Sequence, residues 1–308
     1  MKPKFAFMGS PEIAVPFLDA LHKNGADMIV FTKPDKIRSR GRKTEPTPVK
    51  RHATELDIPV YTTSSKEKES IEILNKFQPH FLFVVAFGEI LKKSVLEIPS
   101  ICPLNVHFSL LPQYRGPTPV NTALLHGREK TGTTIIKMNR KMDEGNIIYQ
   151  EEISIDPEDN ASSLFKKLTD LSINLLEKHW SELIKGDFTE TPQKGQATYT
   201  SFIHRKDRLL NWEEPAEKLH NRVRAFTDFP GVRTRFRRKN ICIMETRTID
   251  CDYDTEAGTV VSVSSNKLTV ACGEKAIELV QLKPAGKRCM DISCFISGYK
   301  PMEGEKFF

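Results

Sequence analysis

Hydrophobic and polar positions alternate along this chain in two textures. In the first, Phe5, Ala6, Phe7 and Met8 form an unbroken apolar run, which predicts a buried strand over residues 4–8. Gly9, Ser10 and Pro11 interrupt it, and apolar residues then recur at Ile13, Phe17, Leu18 and Leu21 with helical spacing. Ser10 suits the N-cap of that helix, Pro11 its first turn and Glu12 its positive end. A strand from Met28 to Thr32 follows, and strand–helix–strand is the opening of a doubly wound parallel sheet. Further helices are expected from Val49 to Leu56 and from Ile71 to Phe77, with a short strand at Val60 between them. Phe81 to Phe87 is a second continuous apolar run, fit for a strand buried on both faces and ended by Gly88. From Ser163 to Ile184 a broad apolar face, including Leu164, Leu168, Leu175 and Trp180, predicts a long helix stopped by Gly186.

The second texture begins after a polar, turn-rich stretch. A helix is expected from Glu217 to Ala225. Short strands follow at Val232 to Phe236, Ile241 to Glu245, Gly258 to Val263, Lys267 to Ala271 and Ile277 to Lys283. That spacing fits a small five-stranded barrel of the oligonucleotide-binding type. The fold class is therefore α/β: an N-terminal doubly wound, Rossmann-like, mostly parallel sheet, with a C-terminal oligonucleotide-binding-like β-barrel domain. The boundaries drawn are residues 1–187 for the first domain, 188–204 for a linker and 205–308 for the second.

Composition narrows the function classes. The chain has 308 residues, 39% apolar and 28% charged, an ordinary soluble balance for two domains. It has no apolar run of about 18 residues, so no membrane span is expected. The N-terminus reads as a first strand and turn rather than a secretion signal. Six cysteines are scattered without a C-x-x-C pair, which argues against a zinc site or a disulfide framework and for reduced thiols in the cytoplasm. The net charge of +6 permits a nucleic-acid partner without requiring one. Its distribution is more informative. Between Lys33 and Lys50 seven basic residues face two acidic ones, and from Pro34 to Pro48 there is no hydrophobic period. That stretch suits either a solvated insert or a loop that meets phosphates. Arg233 to Lys239 holds five more basic residues, a candidate lining for the barrel along with Lys283, Lys287 and Arg288.

The stretch from Asn105 to Gly145 carries the candidate chemistry. Asn105 and His107 lie two apart in an apolar run, so on a strand they share a face. A loop rich in proline and glycine follows, and Asp143 stands in a turn before Gly145. Acyl transfer to an amine suits these three. Neutral His107 can take the amine proton, the Asn105 amide can hold the charge of an oxyanion, and Asp143 can orient the imidazole and stabilise its protonated form. By spacing alone, His107 also fits an ordinary core histidine. Ser109 lies between Phe108 and Leu110, outside any G-x-S-x-G elbow, so a serine nucleophile is not expected. The first strand has no G-x-G-x-x-G, so no dinucleotide is assigned.

N-V-H-F-S-L-L-P-Q-Y-R-G-P-T-P-V-N, residues 105–121, resembles the signature of the formyltetrahydrofolate-dependent formyltransferases. The resemblance runs in order from F-A-F-M-G-S-P-E through T-K-P-D, P-T-P-V-K, V-V-A-F-G-E-I-L and M-D-E-G-N-I-I-Y to L-K-P-A-G-K-R-C-M, nearly the whole chain. It implies that Asn105, His107 and Asp143 are the catalytic trio, present without substitution. It implies 10-formyltetrahydrofolate as formyl donor, lying against Phe87, Gly88, Ile90, Leu91, Ser109, Leu110, Leu111 and Pro112, with no metal. Leu91, Leu110 and Leu111 fit an apolar slot for a flat pterin and fit a plain core equally. The basic stretch resembles the insertion loop of family members that act on charged tRNA, with Arg38, Arg40, Arg42 and Lys43 as its phosphate contacts. The implied acceptor is the amino group of initiator methionyl-tRNA, handled by a monomer that meets no membrane. An amino-sugar nucleotide is the alternative acceptor, and a non-catalytic RNA-binding module on the same scaffold is the reading from another class.

Overall fold

A computed structural model of the chain describes residues 2–37, 44–62, 68–227 and 231–308. The chain forms two compact units. One is built from Met1–Pro119, Lys130–Ser154 and Phe165–Thr200, the other from Val120–Glu129, Ile155–Leu164 and Ser201–Phe308.

The first unit runs β1 (Lys4–Gly9), α1 (Val15–Lys23), β2 (Asp27–Phe31), β3 (Lys36–Ile37), β4 (Thr44–Glu45), α2 (Pro48–Glu55), β5 (Val60–Tyr61), α3 (Lys68–Phe77), β6 (Phe81–Val85), α4 (Lys93–Leu96) and β7 (Cys102–His107). After α5 (Pro119–Leu125), which belongs to the second unit from Val120 on, come β8 (Lys130–Lys137), β9 (Asn146–Ser154), α6 (Ala161–Lys178), whose first turn also belongs to the second unit, and α7 (Trp180–Lys185). Seven strands make one sheet in the order β5-β2-β1-β6-β7-β8-β9. The first five are parallel, and β8 and β9 are added antiparallel. Strand order reverses between β1 and β6, where Gly9 pairs with Val85. In open α/β sheets that reversal opens a crevice at the carboxyl ends of the strands.

Alternation within the strands feeds two apolar layers. Ala6, Met8, Leu82 and Val84 join Ile29, Phe31, Leu74, Phe87, Leu91 and Val95 on one side. On the other, Phe5 stacks on Phe81 with centroids 4.8 Å apart and on Trp180 at 5.7 Å, while Phe17 meets Phe83 and Phe108. Burial of each such phenylalanine contributes about 1.5–3 kcal/mol.

Several local expectations are corrected. Ser10 does not cap α1. Its hydroxyl accepts from Thr32 Oγ1 at 3.2 Å and from the Lys33 N–H at 3.1 Å, which ties the ends of β1 and β2 together. A 3₁₀ turn, Glu12–Ala14, intervenes, and α1 begins at Val15 with Pro16 in its first turn. Strand β6 stops at Val85 rather than Phe87 because the next residue, Ala86, takes a left-handed conformation (φ +48°). The expected long helix is two helices broken at His179. Within the basic stretch, β3 and β4 form a two-residue antiparallel ladder that brings residues 37 and 44 side by side.

The second unit holds α8 (Ala216–Phe226), β10 (Val232–Phe236), β11 (Lys239–Ile249), β12 (Val260–Val263), β13 (Leu268–Ala271), β14 (Ala276–Pro284), β15 (Met290–Asp291) and α9 (Ile292–Tyr299). Its antiparallel sheet has the order β10-β11-β14-β13-β12, with β15 on β14. Residues 305–308 join its two edges. The Val260 N–H donates to Glu305 O and the Phe307 N–H to Gly258 O, while Phe308 and Arg235 exchange both backbone bonds. Asn121 Nδ2 donates to Ala225 O, and Arg224 donates to three carbonyls of residues 156–159, which fastens the two early segments to α8.

His220 on α8 packs against β11, its Nδ1 3.0 Å from Thr246 Oγ1. Burial, aided by the nearby Arg224 charge, pushes its pKa down from 6.5 to about 4. Below pH 6.5 the unfolded chain takes a proton that the folded unit refuses, so stability falls as pH drops from about 6.5 toward 4. His220→Gln should remove about 1–2 kcal/mol of the loss between pH 7 and pH 5. Urea denaturation at the two pH values tests this, and an unchanged difference would refute it.

Candidate active site

Three segments of the first unit build the site: the end of β7, the loop that leaves it, and the turn between β8 and β9. Strand β7 lies parallel to β6 on one side, with Asn105 opposite Val84, and antiparallel to β8 on the other, with His107 opposite Thr134. Its last residue, His107, therefore stands beside the crevice and is buried.

Both imidazole nitrogens face oxygen. Nε2 lies 2.9 Å from the backbone oxygen of Tyr114, and Nδ1 lies 3.6 Å from Asp143 Oδ2. A carbonyl only accepts, so Nε2 carries the hydrogen and the lone pair of neutral His107 sits on Nδ1. This differs from the hydrolytic-triad arrangement expected for the Asp143 pair, in which the carboxylate holds the protonated nitrogen. Burial pushes the His107 pKa below its ordinary value, against the opposing pull of the Asp143 carboxylate and the Tyr114 carbonyl. The imidazole is thus neutral at neutral pH. Protonation at Nδ1 would create an ion pair with Asp143 while keeping the bond to Tyr114.

The Asp143 oxygen that faces the imidazole is also the one that is held. Asp143 Oδ2 accepts from the Gly116 N–H at 2.8 Å, and the Asp143 backbone is left-handed, φ +54°. Gly116 has φ +115°, and a Cβ there would meet Thr200 Oγ1 at 2.7 Å, so only glycine brings this N–H to the carboxylate. Gly145 is equally constrained, since a Cβ would lie 1.9 Å from the Lys137 carbonyl oxygen. Asn105 is half-buried, and among the described residues its side-chain amide has no hydrogen-bond partner. It is a donor left available beside the imidazole.

The loop after β7 is fixed by one hydroxyl. Thr134 Oγ1 donates to Ser109 O at 2.6 Å and accepts from the Leu111 N–H and from Gln150 Nε2, which also donates to Leu111 O. The Ser109 hydroxyl, fully buried, donates to Gln113 O at 2.6 Å, which makes it a turn-closing group. The Leu111–Pro112 peptide is cis.

The candidate donor-binding residues divide. Phe87 and Leu91 are core: both are buried in the apolar cluster with Phe31 and Val95. Ile90 is 68% exposed. Gly88, left-handed at φ +72°, accepts at its carbonyl from Lys33 Nζ at 3.3 Å. Leu111 is buried, whereas Leu110 and Pro112 are half-buried. Leu91 is thus packed in the apolar core, whereas Leu110 and Pro112 keep open surface. Arg38, Arg40, Arg42 and Lys43 lie outside the described residues.

Sequence reasoning missed Tyr114 and Gly116. Both act through backbone groups, and the signal was the density of glycine and proline after β7. In the second unit Arg237 is not open lining, because its guanidinium is bound to Glu305 and to the carbonyls of Tyr299 and Lys300. Arg205, Lys206, Arg208 and Arg233 instead surround a concavity of about 280 Å³ with Leu209.

Residues 3–179 match the family described as formyl transferase, and residues 203–300 match its C-terminal domain. The chain is 37% identical to a methionyl-tRNA formyltransferase of Kosmotoga olearia, covering 98% of this chain and 99% of the relative. It is 36% identical to the methionyl-tRNA formyltransferase of Halorhodospira halophila, covering 99% of each. Among solved structures it resembles an N-formyltransferase from Helicobacter canadensis, determined with folinic acid and dTDP-3-aminofucose. There the TM-score is 0.68 at 20% identity, over 91% of this chain and all of that one.

Proposed function

The chain belongs to the formyl transferase family, and from that premise we propose that it moves a formyl group from 10-formyltetrahydrofolate to the amino group of initiator methionyl-tRNA. The observation that carries this reading is the match, end to end at 36–37% identity, to methionyl-tRNA formyltransferases, in a chain where Asp143 lies 3.6 Å from His107 and Asn105 stands two residues earlier on the same strand. The folate donor draws support from the Helicobacter canadensis neighbour with its folinic acid. Leu110 and Pro112 are the residues best disposed to face it, with Ile90 and Gly88 at the end of the adjacent strand.

The reaction follows from the charges. The acceptor amine attacks the formyl carbon and forms a C–N bond. His107 Nδ1 takes the amine proton, and the imidazolium that results is stabilised by Asp143. The Asn105 amide donates to the carbonyl oxygen as it gains negative charge. The bond between the formyl carbon and the folate nitrogen then breaks, and the proton on His107 passes to that nitrogen. Each of these contacts strengthens as charge develops, which lowers the barrier rather than merely binding the reactants.

The acceptor is where the two enzymatic readings part. The amino-sugar nucleotide reading rests on a fold likeness near 20% identity. Both the 34–48 stretch, with its Arg38, Arg40, Arg42 and Lys43, and the cationic concavity of Arg205, Lys206, Arg208 and Arg233 suit a polyanion. The division of labour proposed is catalysis in the first domain and tRNA contact by the basic loop and the barrel. A monomer working in the cytoplasm is the setting, and among the described residues no helix is long and apolar enough to cross a membrane. Incubation with 10-formyltetrahydrofolate and radiolabelled methionyl-tRNA should yield formylmethionine. Product with a nucleotide-linked amino sugar, and none with methionyl-tRNA, would overturn the acceptor assignment.

A further inference from the structure

We infer that Gln193 is a positioning residue for the reaction: its carboxamide clamps the turn that presents Asp143 to His107. The inference rests on the role proposed for Asp143. Gln193 lies in the polar stretch after α7, 50 residues from Asp143 in sequence. Its Nε2 donates to Asp143 O at 2.8 Å and to Gly145 O at 2.8 Å. Its Oε1 accepts from Arg115 Nε at 3.1 Å and from an Arg115 terminal nitrogen at 2.7 Å. All four hydrogen-bonding valences of the amide are filled, and only one orientation fills them, with nitrogen toward the carbonyls and oxygen toward the guanidinium.

The clamp is itself anchored to the loop that holds the other side of Asp143. Arg115 is buried, and its remaining nitrogen reaches Glu144 Oε1 at 3.2 Å and the Tyr199 hydroxyl at 3.2 Å. Its backbone N–H donates to Thr198 O, and its carbonyl accepts from the Thr200 N–H. The next residue, Gly116, gives its N–H to the Asp143 carboxylate. One loop therefore grips Asp143 twice, at the carboxylate through Gly116 and at the main chain through Arg115 and Gln193. The second grip holds one conformation of this turn, the left-handed one that aspartate tolerates but that non-glycine residues adopt only in a small minority of cases. Without it, the carboxylate has only a single N–H to hold it within 3.6 Å of the imidazole.

Gln193→Met keeps the volume and removes the clamp. Its kcat for formyl transfer should fall about 10- to 100-fold, as for an ångström-scale misplacement of a reacting group, with KM for methionyl-tRNA and for 10-formyltetrahydrofolate changed less than about twofold. The acid limb of the kcat profile should move to lower pH, because the Asp143 charge that holds the His107 pKa up has drawn away. Gln193→Glu keeps the partnership with Arg115 but turns an oxygen toward two carbonyls, and should lose kcat in the same range. In an Asp143→Asn background either change should cost less than about threefold more, since both act on one element. Full additivity, or unchanged kcat and pH limb in both single variants, would show that Gln193 does not act through Asp143. Undiminished turnover in Asp143→Asn alone would instead remove the role assigned to Asp143 itself.

Discussion

His107→Gln should lower kcat for formyl transfer by about 100- to 10,000-fold at pH 7.5. Glutamine is of similar size and can still send an amide N–H toward the Tyr114 carbonyl, so the packing around a buried position is largely kept. What it lacks is a lone pair basic enough to take the amine proton, and nothing else within reach on β7 supplies one. The pH profile sharpens the test. A base works when unprotonated, and burial holds the His107 pKa below 6.5, so wild-type turnover should fall only as pH drops through a midpoint under that value. In His107→Gln this limb should vanish along with the rate. Affinity for methionyl-tRNA, measured by filter binding, should stay within about threefold of wild type. A variant that keeps more than about a tenth of the wild-type kcat would exclude His107 as the base.

Asn105→Ala should cost about 100- to 1000-fold in kcat with little change in either KM. The amide is asked to bind a charge that exists only after the formyl carbon has been attacked, so its removal spares the ground state. The structure makes this substitution unusually clean. Among the described residues the Asn105 amide has no partner, so truncation orphans no other polar group, and stability should change by less than about 1 kcal/mol. Steady-state kinetics and a thermal melt measured on the same preparation check both parts. A loss confined to KM would recast Asn105 as a binding residue.

The parts of this protein that were legible from residues alone are those in which side-chain chemistry repeats. The apolar runs of β1 and β6 announce buried parallel strands, and Asn105 and His107 two apart announce a shared face. Strands β8 and β9 went unread. Lys130–Lys137 mixes three threonines and a glycine with two isoleucines, and Thr133 and Thr134 are buried with their hydroxyls hydrogen-bonded rather than by apolar character. The start of α1 departs from the local reading because the Ser10 hydroxyl is taken by Thr32, just past β2 and 22 residues away, a partner that no local rule supplies. In the site, Asp143 could be named as a candidate from its turn, but what holds it 3.6 Å from His107 could not. Gly116 acts through its N–H and Tyr114 through its oxygen, and Gln193 arrives from beyond α7. Main-chain groups and distant amides leave no mark in a spacing pattern.

The bond that sets the His107 tautomer ends on a main-chain oxygen, and that has a consequence for how the site can change over generations. Codon changes can abolish Asp143 or Gln193, but every residue at position 114 brings the same carbonyl. Tyr114 does sit at φ +59°, so a β-branched replacement would strain the loop, whereas asparagine or glycine would be tolerated. The half of the site that fixes the proton is therefore shielded from mutation, and the half that supplies charge is exposed to it. Drift or selection in the laboratory would retune the pH at which this protein works through positions 143 and 193, while the nitrogen that receives the proton stays the same.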